Sequence, residues 1–180
     1  MEVPDLAAGD FEHLTISGQL RIVEGLLAVG PAILIGSSLG GYLAALCAER
    51  RPSQIQKVVL LAPAFGFYDL WTRELGQEKL QRWRKNGTIP TFHYGEGREM
   101  ALAFDLMEDA ARFAAFPEIR QPGLLFHGVD DPLVPIRQSR GYVAEHPNIQ
   151  LMEFRSGHEL TDVVDDMWRA AREFLLGGAS

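Results

Sequence analysis

No side chain between Leu26 and Ala48 carries a charge. A run of that length could cross a bilayer as one helix. Its centre, however, is crowded with Gly30, Pro31, Gly36, Ser37, Ser38, Gly40 and Gly41. A spanning helix tolerates one or two such residues, not all of them together. The run divides instead into an apolar strand, Ala32–Gly36, a glycine-rich turn, and a helix from Gly41 to Arg51 stopped by Pro52. A short, continuously apolar strand of this kind is typical of a parallel sheet covered on both faces.

The same alternation extends along most of the chain. Glu2–Leu6 reads as a short extended piece ending in a turn. Thr15 to Val29 places Ile16, Leu20, Val23 and Leu27 on one helical face. Gln56–Ala62, Gly123–Phe126 and Ile149–Phe154 read as further strands. A last helix, Leu160 to Leu176, presents Leu160, Val163, Val164, Met167, Ala171, Phe174 and Leu175 to the core and leaves Asp165, Asp166, Arg169 and Arg172 in water. Alternating strands and helices predict an α/β fold with a mostly parallel sheet. With 180 residues the chain is expected to form a single domain. The alternation breaks between about Phe65 and Pro122. Trp71, Trp83, an Asn86-Gly87 turn and a second helical stretch from Met100 to Phe113 fall there. Such an excursion between core strands predicts a lid or cap at 65–122.

Charge and cysteine usage narrow the function classes. The net charge is -7, which lacks the basic footprint of a nucleic-acid binder. The single cysteine, Cys47, excludes an intrachain disulfide and a multi-cysteine metal site, and its apolar surroundings predict a buried residue. The acidic start, Met1-Glu2-Val3-Pro4-Asp5, does not read as a signal peptide. The expectation is a cytoplasmic protein without a membrane span.

Gly36-Ser37-Ser38-Leu39-Gly40 fits G-x-S-x-G, with Ser38 at its centre between strand and helix. A nucleophile perched on that junction forces a tight, strained turn, and small residues two before and two after let the backbones pass. The amide of Leu39 would then face a developing oxyanion. A serine needs a base, and the base an orienting acid; in hydrolases of this type they follow in the order serine, acid, histidine. After Gly123–Phe126 come His127-Gly128-Val129-Asp130-Asp131-Pro132, and after Ile149–Phe154 come Ser156-Gly157-His158. Both segments lie past the carboxyl ends of strands, where α/β sites collect their residues. His158 is therefore the candidate base, whereas His127, beside a strand end, reads as structural. Asp130 and Asp131 compete for the acid role.

These segments resemble the triad segments of the α/β-hydrolase superfamily, and the chain is similar, over nearly its whole length, to the small bacterial YqiA-like esterases. The likeness is carried by Pro4–Leu6, Gly9–Thr15, Gly36–Leu43, Leu60–Phe65, His93–Arg98 (including Tyr94), His127–Pro135 and Ser156–Leu160. The histidine-glycine-x-x-aspartate spacing of that family selects Asp131. The resemblance implies an α/β-hydrolase fold with Ser38 as nucleophile, Asp131 as acid, His158 as base and the Leu39 N–H as an oxyanion donor. It implies a carboxylesterase for small or medium acyl esters, with thioesters equally compatible, a small-molecule substrate, and no cofactor or metal. The family carries a further strand before the segment matching Glu2–Asp5, with a His-Gly-Phe type loop that supplies a second oxyanion N–H. This sequence begins after it. The expectation is a sheet in which Glu2–Leu6 moves beside the central strand or loses its ladder. The alternative to an active esterase is a catalytically weak or non-catalytic hydrolase fold with half an oxyanion hole.

Overall fold

The computed structural model describes residues 1–93 and 95–177. In chain order the elements are α1 (Ile16–Leu26), β1 (Ala32–Ser37), α2 (Leu39–Arg50), β2 (Ile55–Leu61), α3 (Phe67–Asn86), β3 (Thr88–His93), β4 (Arg98–Ala103), α4 (Asp105–Ala110), β5 (Gly123–Gly128), α5 (Ile136–Glu145), β6 (Ile149–Phe154) and α6 (Val164–Leu176). They form two compact units. One comprises Met1–Ala28 with Gly66–Ala115, the other Val29–Phe65 with Phe116–Ser180. Within the stretch 26–48 stand the expected strand, turn and helix. Among the described residues no helix is long and apolar enough to cross a membrane.

The second unit is built on a parallel sheet of order β1-β2-β5-β6. Its two inner strands are apolar without alternation because both faces are covered: Val58, Val59 and Leu60 of β2 and Leu124, Leu125 and Phe126 of β5 are all buried. On one face Val59, Ala62, Leu124 and Phe126 pack against Leu160, Met167 and Ala171, with Phe154, Val163, Phe174 and Leu175 around them. This is the stripe expected of the last helix, with two differences. The chain makes a 3₁₀ turn at Thr161–Val163 before α6 begins, and Val164 is 52% exposed because that turn rotates it off the core face. Lys57 of β2 crosses to the end of α6. Its ammonium donates to the carbonyls of Phe174 (2.7 Å) and Leu175 (3.1 Å), which the helix itself leaves unpaired. On α5, Tyr142 packs its ring on Phe65 and donates its hydroxyl to the Pro117 carbonyl at 2.6 Å. Cys47 is fully buried in α2.

The expectation that the first strand is covered on both faces fails. β1 lies at the edge of its sheet and alternates, with Ile33 39% and Ile35 54% exposed. An apolar run reports what a strand could bury, not how many neighbours it finds. α2 begins at Leu39, two residues earlier than its apolar pattern suggested, because the serine carbonyl already accepts the first helical bond, from the Tyr42 amide at 3.1 Å.

In the first unit, Thr15 caps α1 by accepting the Gly18 amide at 3.0 Å. Asp109 of α4 ties α1 down by accepting from the Ser17 amide and hydroxyl, each at 2.7 Å. Glu2–Leu6 forms no strand, so its ladder is lost; Asp5 instead closes a turn by accepting the amides of Ala7 and Gly9. The predicted helix from Met100 to Phe113 is replaced by β4 and the short α4. Residues 98–103 pair antiparallel with Thr88–His93, a partner that local periodicity cannot show. Tyr94 lies outside the described residues. Trp83 is buried and donates its indole N–H to the Leu102 carbonyl at 2.9 Å, and its ring continues a chain of aromatic contacts through Trp71, Phe67 and Phe104. Gly87 ends α3 with φ +81, a conformation that glycine adopts without a Cβ penalty.

Candidate active site

Ser38 occupies the junction of β1 and α2 with φ 52° and ψ −119°. A non-glycine residue in that region costs on the order of 1–3 kcal/mol and persists only where its surroundings enforce it. Here they do. The Ser38 amide donates to the Leu61 carbonyl (2.8 Å), and its carbonyl accepts from the amides of both Tyr42 (3.1 Å) and Ala64 (3.0 Å). The turn closes so tightly that a Cβ on Gly36 would lie 2.2 Å from the Gly40 carbonyl oxygen. A Cβ on Gly41 would meet Pro63 at 3.1 Å. Gly36 is therefore a steric requirement of the turn and Gly41 is tightly placed, whereas a Cβ on Gly40, the second glycine of the motif, would meet nothing within 4 Å. Leu39 opens α2, so its amide is among the helix N–H groups without an intrahelical partner.

Asp131 lies three residues beyond β5 and His158 four beyond β6, on the same carboxyl edge of the sheet that carries Ser38. Hydrogen bonds just past the strand ends link these segments in series. The Ala62 amide donates to Phe126, the Val129 amide to Phe154 and the Asp130 amide to Ser156. Gly128 lets the last two loops cross, since a Cβ there would sit 2.3 Å from the carbonyl oxygens of both Ser156 and Gly157. Ser156 in turn donates its hydroxyl to Asp162, which secures the far side of the histidine loop.

The structure brings Asp131 and His158 together. His158 Nδ1 donates to Asp131 Oδ2 at 2.7 Å, with the carboxylate fully buried and the imidazole 10% exposed. Asp131 Oδ1 accepts the amides of Leu133 (2.8 Å) and Val134 (2.9 Å). Burial of this carboxyl acts to raise its pKa. Hydrogen bonds from His127, His158 and the two amides outweigh burial and hold it well below the usual carboxylate range. His158 moves the other way: its bond to the Asp131 carboxylate raises it above the ordinary histidine value, against the effect of burial. Asp130 is exposed and contributes only its backbone. Among the described residues Ser38 makes no hydrogen bond to His158. Ser38 stands at the end of β1 and Asp131 beyond β5, with β2 between those strands, a separation of roughly 10 Å at ordinary strand spacing.

His127, which the sequence reads as structural, joins this cluster. At the end of β5, it is fully buried with Nε2 2.9 Å from the Val134 carbonyl and 3.3 Å from Asp131 Oδ2, and Nδ1 2.7 Å from the Ser139 hydroxyl. The signal was its place four residues before Asp131, a spacing that a turn after a strand can fold back on itself.

The parallel sheet with helices, the serine junction and the aspartate–histidine pair define an α/β-hydrolase fold. The chain belongs to an uncharacterised protein family, UPF0227, whose model matches residues 1–175. It is similar to the Xenopus laevis monoacylglycerol lipase abhd6-B, 28% identical over 69% of this chain and 36% of that protein. It is also similar to the mitochondrial palmitoyl-protein thioesterase ABHD10 of Bos taurus, 28% identical over 71% of this chain and 44% of that protein. The solved structure of mouse alpha/beta hydrolase domain-containing protein 10 superposes with a TM-score of 0.73 at 23% identity, covering 92% of this chain and 71% of that one. The chain thus spans less than half the length of the curated relatives it matches.

Proposed function

We propose that this protein is a serine hydrolase acting on small or medium acyl esters through an acyl-enzyme. The observation that carries the reading is the backbone of Ser38, held at φ 52° between β1 and α2. An idle strand-to-helix turn has no use for a strained serine, whereas a nucleophile does. In the reaction His158 Nε2 takes the proton of the Ser38 hydroxyl as Oγ attacks the acyl carbon. His158 then gives that proton to the leaving alcohol. Water, deprotonated by the same imidazole, releases the acid and restores the serine. Asp131 holds the tautomer with Nδ1–H and stabilises the imidazolium that forms. The Leu39 amide donates to the tetrahedral oxyanion. That one named relative is a monoacylglycerol lipase and another a palmitoyl-protein thioesterase supports acyl transfer as the reaction class and leaves oxygen and sulfur leaving groups equally open.

The test is hydrolysis of a nitrophenyl ester series of increasing acyl length by wild type and Ser38→Ala. The reading expects turnover that disappears in Ser38→Ala with an unchanged far-UV circular dichroism spectrum. Ser37→Ala should keep most of the activity. Loss in Ser37→Ala with retention in Ser38→Ala would place the nucleophile elsewhere.

A further inference from the structure

We propose that His127 is a positioning residue for the aspartate–histidine pair, acting through the Nε2–H tautomer that Ser139 selects. The proposal rests on the reading of Asp131 and His158 as acid and base.

The tautomer follows from the partners. The Val134 carbonyl, 2.9 Å from His127 Nε2, has no proton to give, so Nε2 must carry one. With that proton in place Nδ1 is an acceptor, and the Ser139 hydroxyl, at 2.7 Å and fully buried, is its donor. The Nε2–H also lies 3.3 Å from Asp131 Oδ2, the oxygen that accepts from His158. One N–H therefore donates to a carbonyl of the turn that carries Asp131, with the carboxylate of that turn 3.3 Å from the same nitrogen. The turn is closed from inside by the Leu133 and Val134 amides on Oδ1 and from behind by His127 on Oδ2. Asp131 is left with one direction in which to offer its charge, toward His158.

This arrangement has a chemical consequence. A donor on Nδ1 of His127 would require the Ser139 oxygen to accept and would make the ring a cation beside Asp131. That cation would neutralise the carboxylate before His158 could use it. With Ser139 donating, the carboxylate stays available to the imidazolium that forms during catalysis. The other charged groups facing His127 do not substitute for this. Glu153, its register partner on β6, is held by Nε and Nη2 of Arg140 from α5, at 2.8 and 2.7 Å. Among the described residues, His158 joins the cluster through its bond to Asp131.

His127→Phe removes the donor and keeps a ring. His127→Gln keeps an N–H at the place of Nε2. The account expects His127→Phe to lower kcat on the order of 10²-fold with KM nearly unchanged, the loss typical of a misplaced catalytic group. It also expects the acid limb of kcat/KM to move to higher pH, because an Asp131 with one donor fewer binds the His158 imidazolium more strongly. His127→Gln should recover most of the rate and the wild-type limb. Equal losses in both variants with an unmoved limb would reduce His127 to a packing residue and overturn the proposal. Wild-type protein labelled with ¹⁵N-histidine provides a check that does not depend on either variant folding. At the pH of maximal rate, His127 must show the nitrogen shifts of an Nε2–H ring, and an Nδ1–H or doubly protonated ring overturns the proposal. An active wild type with the wrong His127 signature defeats this inference alone. A wild type without esterase activity defeats the triad reading and this inference with it.

Discussion

His158 Nδ1 and Asp131 Oδ2 meet at 2.7 Å across two loops that cross at Gly128. Oδ1 of that carboxylate accepts the Leu133 and Val134 amides of its own turn, and His127 of β5 lies 3.3 Å from Oδ2. Asp131→Asn should therefore lower kcat on the order of 10⁴-fold, the effect of presenting histidine in the wrong tautomer. Asp130, exposed and joined to the site only through its backbone, should tolerate Asn with little change. Steady-state kinetics on the two variants, side by side, decides between them. Equal and mild effects would mean that the acid lies elsewhere.

The crossing itself can be tested with glycine. Gly128→Ala drives a methyl group to 2.3 Å from two carbonyl oxygens, whereas Gly157→Ala meets nothing within 4 Å. The first should separate the Asp131 and His158 loops and cost at least the ~1–3 kcal/mol typical of overpacking. Its kcat should fall together with its stability. The second should leave both near wild type. Denaturant midpoints and esterase rates measured on both proteins check the contrast.

The opposed pKa shifts of the pair fix the direction of two pH effects. His158 must be neutral to act as base and is held above 6.5, so kcat/KM should rise through a midpoint above that value. Stability behaves differently. The depressed Asp131 contributes above its unfolded pKa of about 3.9 and loses that contribution as pH falls through its folded value. The raised His158 contributes below 6.5 and loses its contribution as pH rises through its folded value. The stability difference between wild type and His158→Gln should thus be largest near pH 5–6 and shrink toward alkaline pH. A difference that grows with pH would contradict these assignments.

Lys57 provides a test remote from the chemistry. Its ammonium supplies two of the hydrogen bonds that the end of α6 lacks and lies 5.1 Å above the Phe174 ring. Lys57→Met keeps most of the stem and removes the charge. The expected loss is about 1–2 kcal/mol, a Tm drop of roughly 2–8 °C in a chain of this size, with kcat unchanged.

Much of this site was legible in the chain because its requirements are local. The strand–serine–helix junction is written in consecutive residues, since a turn this tight admits only glycine at Gly36. His158 and the Asp130-Asp131 pair are placed by the apolar strands they follow, and the choice of Asp131 within the pair comes from the resemblance to the esterase family. Their hydrogen bond, and the clamp of His127 and Ser139 behind it, depend on which loops cross, and no periodicity records that. The fold shows the same division. The core strands β2 and β5 announce themselves as apolar runs, and Thr15 announces α1 as its cap. The spacing at Met100–Ala103 suits a helix, yet these residues belong to strand β4, because their partner, Thr88–His93, is invisible to a local window. The exposed face of β1 was missed because hydrophobicity gives no count of neighbours.

The central claim is that Ser38 becomes acylated. Rapid mixing of the purified protein with excess nitrophenyl acetate, quenched in acid and followed by peptide mass mapping, measures it directly. The account predicts a burst of nitrophenol approaching one equivalent and an acetyl group on the peptide containing Ser38, both absent in Ser38→Ala. Turnover without a burst or label would be compatible with rapid deacylation only if a fluorophosphonate still modified Ser38. An acyl group or a fluorophosphonate found on any other residue, or turnover that survives in Ser38→Ala, would contradict the account.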